Sequence, residues 1–466
     1  MFSGSLLGVV LLVLASFSLC AEHGVQMRLT KKGMDYAVNV GIDILKKDLK
    51  NLKINKKGTY GKVHFNIKDL SFSELDFGQH ALSPVEGVGM KGVVSGIGLT
   101  AYATFSYTYI FFSDTTQLRL IASGIDFDMT LKIGDDKGGH PTISVQECHA
   151  NVGSIDVAFK GGMSFIYNLL KSKIESEMEE TLKSLLCKMV TEEINTKASQ
   201  ELATFPVVRK IDSYAEIDYR LTEPPRFTKS YMDAYLKGEF KSSTDPEESQ
   251  NPIPEMTTND LDDNMVYFWV SDYTFNTAGE VYHKANKLQF TVNAWDKNTP
   301  AELKTILDTT KFIPLFPSIV KDYPNQPMGV EVSSFQAPHV VFTKKDANFH
   351  LYATTKFSVK EKELFTFQFD IKAGASFAVR ETNITAKIDY FTYNGKVTQS
   401  VYGDPTLSLD NAFVKALVQV LVIKNANDAL NQGFPLPKVK EVTFENFNVF
   451  LQKDSLGVGT DLKYVQ

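Results

Sequence analysis

The chain has 466 residues, of which 43% are hydrophobic and 22% charged, and its formal net charge is −6. That length accommodates two domains of about 200 residues each, and the composition is typical of globular proteins with sizeable cores. Proteins that bind nucleic acid mainly through phosphates need a strongly basic surface, so the acidic balance argues against a nucleic-acid partner.

The first residues predict a secretory signal peptide. Leu6–Ala15 is an apolar run of signal-peptide length that is too short to span a bilayer, and small residues, Ser18 and Cys20, precede the expected cut. We therefore expect a signal peptide over 1–20 and a secreted, extracellular protein, although the usual basic residue near the start is missing. A bacterial lipoprotein signal is disfavoured, because Leu19 is larger than the small residue required before its cysteine.

Two helices and an antiparallel meander are predicted for the first half. Residues 30–52 have the apolar spacing of an amphipathic helix: Met34, Val38, Ile42, Leu45 and Leu49. From Gly61 to about Val157 apolar and polar residues alternate between glycine-containing turns, which predicts the meander. A second helix is expected over about 163–196, with one apolar stripe: Ile166, Leu169, Leu170, Ile174, Met178, Leu182, Leu185 and Leu186. Its glutamates are expected to face water: Glu175, Glu177, Glu179 and Glu180.

A polar, acidic segment with two prolines, 241–264, has the composition of a linker. It divides the mature chain into an N-terminal domain, 21–240, and a C-terminal domain, 265–466. Beyond it the same kinds of element return: a strand at Met265–Val270, a helix at about Pro300–Ile319 that Pro314 and Pro317 interrupt, alternating strands from Val330 to about Tyr402, and a helix at about Asp410–Leu430. Each half is thus expected to hold a twisted sheet and two amphipathic helices, which is an α+β fold.

The cysteines are consistent with secretion. If Cys20 leaves with the signal peptide, Cys148 on a strand and Cys187 on a helix remain as an even pair. An oxidising compartment favours a disulfide between them, and two buried free thiols are the alternative. Asn383, followed by Ile and Thr, is a candidate glycosylation site.

No catalytic or metal-binding motif is found. The Gly-x-Ser-x-Gly, His-Glu-x-x-His and Walker A patterns are missing, and the eight histidines lack zinc-ligand spacing, so we expect a non-enzymatic protein without cofactor or metal. Gly87–Gly92 matches Gly-x-Gly-x-x-Gly, but a dinucleotide site needs a helix after the glycines. Val93–Tyr102 has the pattern of a strand, so these glycines are interpreted as a turn in a bent sheet.

Several segments resemble one family. Met265–Tyr282, MVYFWVSDYTFNTAGEVY, closely resembles a signature of the family of bactericidal/permeability-increasing protein and lipopolysaccharide-binding protein. Four more segments are similar to that family: Gly24–Ala37, Lys237–Phe240, Gly433–Pro437 and Gly457–Tyr464. The resemblance covers essentially the whole mature chain.

This resemblance implies an elongated boomerang of two tubular domains, each a twisted antiparallel sheet wrapped by two long helices, joined through a central sheet. It implies a disulfide between Cys148 and Cys187, and an apolar pocket in each domain for the acyl chains of a phospholipid. In the family the N-terminal pocket lies under the first helix, so the candidate lining residues are Val38, Ile42 and Leu45. Taken alone, such a stripe more often belongs to an ordinary core, which is the alternative.

A basic segment matches the position of the family's basic N-terminal tip. From Arg28 to Lys68 there are eleven basic and three acidic residues, a charge of +8, which leaves −14 for the rest of the chain. Four of these lysines are expected to surround a turn at Gly58: Lys53, Lys56, Lys57 and Lys62. Clustered lysines can bind lipid phosphates as point charges. The candidate headgroup residues are Lys46, Lys47, Lys50, Lys53, Lys56, Lys57 and Lys62. A merely solvated helix end and loop is the alternative.

One departure from the family pattern concerns a neighbouring hairpin. Antibacterial relatives carry a second basic run there, whereas Ala103–Ile110 has no charge. Phe105, Tyr107 and Tyr109 could enter a membrane interface or form cross-strand pairs. The missing charge makes direct killing of bacteria doubtful but leaves lipid binding unaffected.

These features together predict a secreted lipid-binding protein that recognises lipopolysaccharide through lipid A in innate defence. The alternative is a phospholipid carrier without an antibacterial role. Lipopolysaccharide, phospholipids and a membrane surface are the expected partners, and we expect a monomer.

Overall fold

The computed structural model describes residues 23–161, 164–437 and 442–465, so the predicted signal peptide lies outside the described residues. Five strands of the first half form one antiparallel sheet in chain order: β2 (Ile54–Tyr60), β3 (Val63–Val85), β4 (Gly89–Tyr109), β5 (Phe112–Asp135) and β6 (Pro141–Phe159). The three central strands are 23, 21 and 24 residues long. Strands of that length accumulate twist, so the sheet curls and encloses one face. The predicted meander is confirmed.

Two helical segments cover the enclosed face of this sheet. Helix α1 (Lys31–Asn51) begins after Thr30, whose Oγ1 accepts a hydrogen bond from the Gly33 amide and so caps the helix. The second segment is longer than predicted: α2 (Ser164–Glu192), a π-helical turn (Glu193–Ala198) and α3 (Ser199–Ala203). Helix α1 packs against β3 and α2 against β6.

The apolar stripe of α2 is confirmed except at two positions. Six of the eight predicted residues are buried: Ile166, Leu170, Ile174, Met178, Leu182 and Leu186. Leu185 is half-buried, and Leu169 is 43% exposed. Successive residues lie about 100° apart on a helix, so Leu169 points away from the sheet that Leu170 contacts.

A central sheet joins the two halves. Its strand order is β20-β21-β12-β1-β10-β9: β1 (Val25–Thr30), β9 (Arg226–Phe227), β10 (Tyr231–Leu236), β12 (Val266–Ser271), β20 (Val442–Gln452) and β21 (Ser455–Tyr464). Strand β1 pairs with β10 on one side and β12 on the other. The first described strand is therefore hydrogen-bonded to both sides of the predicted linker.

The predicted linker lies against this sheet. Its first two residues belong to β11, which forms a small sheet with two other strands: β7 (Val208–Lys210), β8 (Ala215–Asp218) and β11 (Glu239–Ser242). Residues 243–264 contain no helix or strand. Met256 nevertheless packs with Tyr267 and Trp269, and the Asn259 carbonyl accepts a hydrogen bond from Arg28. A domain boundary at this segment stays a prediction.

The second half repeats the curled sheet. Strands run in the order β13-β14-β16-β17-β18-β19, and β15 pairs beside β16: β13 (Gln289–Asn293), β14 (Gly329–Ser334), β15 (His339–Phe342), β16 (Ala347–Val359), β17 (Lys362–Arg380), β18 (Asn383–Ser400) and β19 (Phe434–Pro435). The alternating strands predicted from Val330 to Tyr402 are confirmed.

The helices of the second half include one missed element and one that is more fragmented than predicted. The sequence did not predict α4 (Asp272–Lys284), which directly follows β12. The helix predicted at about Pro300–Ile319, with breaks at Pro314 and Pro317, consists of short pieces: α5 (Ala301–Ile306), a 3-10 turn (Thr309–Phe312) and α6 (Ile319–Asp322). The two prolines lie between the last two pieces, as predicted, but a further break at Leu307 and Asp308 precedes them. The last predicted helix is confirmed in three segments: α7 (Ala412–Val418), a π-helical turn (Gln419–Ile423) and α8 (Lys424–Gln432).

Each curled sheet encloses its own hydrophobic core, and the larger core extends into the central sheet. The protein therefore has an α+β fold in which two tubular, helix-covered antiparallel sheets flank a central sheet in an elongated boomerang.

Candidate functional site: the N-terminal tip

Cys148 on β6 and Cys187 on α2 form a disulfide that ties the helix to the edge strand of the first sheet. The alternative of two free thiols is wrong. The glycine-rich segment is a turn and a strand, as predicted: Gly87 has φ +70°, and β4 begins at Gly89.

Among the described residues, no cluster of three or more His, Cys, Asp or Glu side chains is arranged to hold a metal ion. None of the helices described has the length and apolar character needed to cross a membrane.

Two hairpin turns meet at one end of the first sheet. Tyr60 pairs with Val63 on the β2–β3 hairpin, Val63 pairs with Tyr109 on β4, and Tyr109 pairs with Phe112 on β5. This single cross-strand row places the two turns side by side. We call the two turns and their flanking residues, 57–66 and 106–114, the N-terminal tip.

The predicted turn at Gly58 is wrong. Gly58 lies inside β2, where a Cβ atom would stand 2.2 Å from Cζ of Phe65, so the glycine leaves room for that ring. The chain turns instead at Gly61 and Lys62, and Gly61 has φ +58°. Glycine takes this left-handed conformation without steric cost.

An open depression of about 470 Å³ lies on the outer face of the tip. Two cross-strand rows contribute polar side chains to it: Lys57, Asn66 and Ser106, and Thr59, His64 and Thr108. Thr59 Oγ1 lies 2.9 Å from His64 Nδ1. The depression thus combines one ammonium group with hydroxyl, amide and imidazole groups, which suit a phosphate or a sugar.

The lysines on and beside β2 do not share one face of the strand. Lys57 faces outward and is exposed, as are Lys53 and Lys62, and within the described residues no carboxylate lies within 4.0 Å of their Nζ atoms. Lys56 points to the opposite face, toward α2, where its Nζ lies 3.2 Å from Glu177 Oε2. The pKa of Glu177 is lowered by its hydrogen bonds to Lys173 and Lys56. Glu177 is therefore half-buried in an ion pair and not water-facing as predicted.

The lysines of α1 lie outside the depression. Lys47 and Lys50 are exposed, and Lys46 is half-buried with its Nζ 5.7 Å from the centre of the Phe77 ring. Of the seven candidate headgroup lysines, the structure brings Lys57 into the depression and Lys62 onto the adjacent turn.

The candidate acyl-chain residues pack into the first core. Ile42 is buried there, while Val38 and Leu45 are half-buried against it. Sequence reasoning missed a neighbouring group between the N-terminal end of α1, the first sheet and the central sheet, which we call the methionine cluster: Met27, Met34, Met90, Met129 and Met232. These residues come from one helix and four separate strands, so only the position of Met34 on the α1 stripe signalled any of them.

The aromatic residues of the neutral hairpin belong to the core. Phe105 and Tyr107 are 0% and 2% exposed, so their placement in a membrane interface is wrong and the cross-strand alternative is correct. The exposed apolar residues directly follow Tyr109, in the turn and at the first position of β5: Ile110, Phe111 and Phe112. The signal that could have found them is an apolar run at the end of an alternating strand.

The candidate glycosylation site lies at the start of β18. Asn383 is half-buried and pairs with Arg380 and Pro435, and the Thr385 hydroxyl donates to the Ala378 carbonyl. Glycosylation of Asn383 stays a prediction.

Comparison with known proteins identifies the family. The model of the LBP / BPI / CETP family N-terminal domain matches residues 33–197, and that of the C-terminal domain matches 209–464. The chain is 26% identical to lipopolysaccharide-binding protein from Homo sapiens, covering 99% of this chain and 98% of that protein. It is also 26% identical to bactericidal permeability-increasing protein from Sebastes schlegelii, with 98% of each chain covered. A crystal structure of lipopolysaccharide-binding protein superposes with a TM-score of 0.67 at 23% identity, covering 95% of this chain and all of the other. This chain belongs to the LBP / BPI / CETP family.

Proposed function

We propose that this protein is a secreted, non-enzymatic lipid-binding protein that recognises bacterial lipopolysaccharide through lipid A in innate defence. Its relatives include proteins named for lipopolysaccharide binding and for bactericidal activity. The observation that most supports the proposal is the polar depression at the N-terminal tip, with Lys57 in it and Lys62 on the next turn.

Binding of the lipid headgroup depends on charge. An exposed lysine near a surface of lipid phosphates contributes about 1 kcal/mol. Lys53, Lys57 and Lys62 are exposed, whereas the charge of Lys56 is already balanced by Glu177. Lys57 and Lys62 at the tip therefore bind the lipid A phosphates, and the hydroxyl groups of Thr59 and Thr108 bind the adjoining sugar.

Binding of the acyl chains depends on the burial of apolar groups, which stabilises the complex by about 0.8 kcal/mol for each CH₂ removed from water. Methionine side chains are flexible and polarizable, so they adapt to chains of different shape. The methionine cluster lies beside Val38, Ile42 and Leu45 under α1, and we assign the acyl chains of lipid A or of a phospholipid to this region. The protein acts as a monomer at a membrane surface.

Neighbouring lysines provide the test. Lys57→Ala should weaken binding to dispersed lipid A about fivefold, because one charge–phosphate contact is lost. Lys56→Ala should change the affinity less than about twofold, because that side chain is engaged with α2. Isothermal titration calorimetry at low salt measures both, and circular dichroism checks that both variants are folded.

The two variants differ by one position and remove the same charge, so the total charge cannot explain a difference between them. Equal losses, or no loss with Lys57→Ala, would contradict headgroup recognition at the depression. Unchanged binding by both variants would favour a phospholipid carrier without headgroup preference.

A further inference from the structure

The methionine cluster is closed to solvent in this structure. Met34 is 0% exposed, Met90 4% and Met232 8%. An acyl chain therefore reaches the cluster only when an element that covers it moves. Most of the residues around the cluster lie on α1 or on strands of the first and central sheets, which are held by hydrogen-bonded ladders or by a buried helix face. Ile194 is different, because it comes from the π-helical turn that follows α2.

The segment that carries Ile194 is fixed at both ends and loosely held between them. The disulfide at Cys187 ties its start to β6, and its end enters β7 at Val208. Every residue from 188 to 206 is half-buried or exposed, whereas the apolar stripe of α2 before it is largely buried. Segments with few buried apolar contacts open at a low cost in free energy. We call residues 188–206 the strap.

In the part of the chain that the structure describes, a single hydrogen bond joins the strap to the first sheet. Asn195 Oδ1 accepts this bond from the Val145 amide on β6, at 2.8 Å. Strand β6 is the edge of the sheet, and the next residue, Gln146, is a β-bulge without a partner on β5. The outer side of an edge strand offers no backbone acceptor, so Asn195 supplies one. Val145 itself packs against the methionine cluster, which places this bond at the rim of the cluster.

The same arrangement recurs in the second half of the molecule. The helix there also contains a π-helical turn, Gln419–Ile423, and Asn427, one helical turn later, accepts a hydrogen bond from the Ile388 amide at 2.7 Å. Ile388 likewise precedes a bulged residue, Asp389, in the last long strand of its sheet. π-helical turns are rare and often lie at functional sites, and β-bulges are frequent beside such sites. The recurrence therefore indicates that the asparagine bond has a function.

We propose that the strap is the gate through which acyl chains enter the methionine cluster, and that the hydrogen bond between Asn195 and Val145 holds this gate closed. When the bond breaks, Ile194 leaves the cluster while Cys187 and β7 keep both ends of the strap attached. Asn195 is thus a positioning residue that acts through the strap. The inference rests on the proposed binding of acyl chains at the cluster and adds the route by which they enter.

Removal of the asparagine bond should speed lipid exchange without changing affinity. Asn195→Ala should raise the rates of uptake and release of phosphatidylcholine about fivefold each, the factor that corresponds to one net hydrogen bond. The equilibrium affinity should change less than about twofold, because the bond closes the strap over the empty and the loaded protein alike. Stopped-flow fluorescence measures uptake of pyrene-labelled phosphatidylcholine from self-quenched vesicles by the mature protein, and an excess of unlabelled vesicles then measures release.

Two further variants separate the hydrogen bond from other effects at this turn. Asn195→Asp keeps the accepting oxygen and adds a charge that strengthens the bond, so both rates should stay at or below those of the wild type. Thr196→Ala is the matched control, because the Thr196 hydroxyl donates to the Glu192 carbonyl within the strap, and both rates should be unchanged. An Asp variant as fast as the Ala variant, or equal acceleration in Thr196→Ala, would overturn the inference.

Hydrogen exchange followed by mass spectrometry locates the motion. In the wild type, amides of the strap should exchange faster than those of α2 before Cys187. Asn195→Ala should accelerate exchange in the strap and leave the rest of the first half unchanged. Equal protection of α2 and the strap, or acceleration throughout the first half, would contradict a local gate and indicate a general change of stability.

The probe contains no lipopolysaccharide, so this inference and the proposed function can fail separately. Protein that binds dispersed lipid A, but whose phosphatidylcholine exchange is unchanged by Asn195→Ala, would overturn the gate alone. Protein whose exchange depends on Asn195, but which has no preference for lipid A, would overturn lipid A recognition alone.

Discussion

At the scale of single residues, glycines beside aromatic rings recur in both halves of the molecule. Gly58 faces Phe65, Gly374 faces Tyr390, and Gly457 faces Phe450, and in each pair a glycine Cβ would stand within 2.3 Å of the ring. The ring covers the backbone of the partner strand where the glycine has no side chain. Glycine is therefore needed at these positions because any larger residue would collide with the ring.

Two glycine substitutions should have opposite effects. Gly58→Ala should lower the free energy of unfolding by about 1–3 kcal/mol, because the methyl group displaces the buried Phe65 ring. Gly41→Ala should raise it by about 0.5–1 kcal/mol, because this position is exposed inside α1 and a Cβ there meets nothing within 4 Å. Urea unfolding of both variants measures the difference. A loss of stability at both positions would contradict the packing described.

Side-chain roles at the tip could be predicted only in part. The count of lysines was available from the sequence, but strand alternation and α2 decide that Lys57 faces outward and Lys56 faces Glu177. Phe105 and Tyr107 had two possible environments, and only the packing of Phe159 and Tyr167 around them distinguishes core from membrane interface.

At the scale of elements, the spacing of apolar residues correctly predicted those helices and strands whose own sequence carries a clear repeat. The meander, α1, most of α2 and the helix at about Asp410–Leu430 each have an apolar repeat that matches their secondary structure. Helix α4 was missed because its sequence is rich in aromatic and β-branched residues, which have low helix propensity. The available signal was the spacing of Tyr273, Thr277 and Val281, which are all buried.

The start of α4 should make stability depend on pH. Burial, and then repulsion from Asp454, raises the pKa of Asp272 to about 6. The folded protein therefore binds more protons than the unfolded chain between about pH 4 and 6, so stability falls as pH rises through that window. At neutral pH the ionised carboxylate costs about 1–3 kcal/mol, a range that allows for screening by water at this incompletely buried side chain.

Asp272→Asn should therefore raise the free energy of unfolding at neutral pH by about 1–3 kcal/mol and give little gain near pH 4, where the native carboxyl group is already neutral. Asp454→Asn is the control: it keeps a residue type that tolerates the φ of +63° there and should recover part of the gain by removing the repulsion. Urea unfolding across this pH range measures both variants. A gain in Asp272→Asn that is the same at every pH would argue for a packing effect and against a raised pKa.

At the scale of the whole molecule, the central sheet joins the two halves, and ion pairs decide which basic residues keep a free charge. Strand β1 carries Arg28, which is buried, bonded to Asp233 and stacked 3.5 Å from the centre of the Tyr231 ring. Four of the eleven basic residues between Arg28 and Lys68 are paired with carboxylates: Arg28, Lys31, Lys32 and Lys56. The free positive charge is therefore concentrated on the lysines of α1 and the tip.

The long-range features were beyond single-sequence reasoning. The family resemblance implied a central sheet, but the pairing of β1 with both β10 and β12 joins residues more than 200 positions apart. The methionine cluster likewise combines five elements that share no local pattern. Such features depend on tertiary packing, which no repeat within one segment encodes.

The most direct test of lipid A recognition compares binding of the mature protein to dispersed lipid A and to neutral phosphatidylcholine vesicles over a range of salt concentrations. We predict tighter binding to lipid A by at least about tenfold at low salt, and a loss of that preference as salt screens the lysine–phosphate contacts. Equal binding to both lipids, unchanged by salt, would contradict recognition at the N-terminal tip and identify a general lipid carrier.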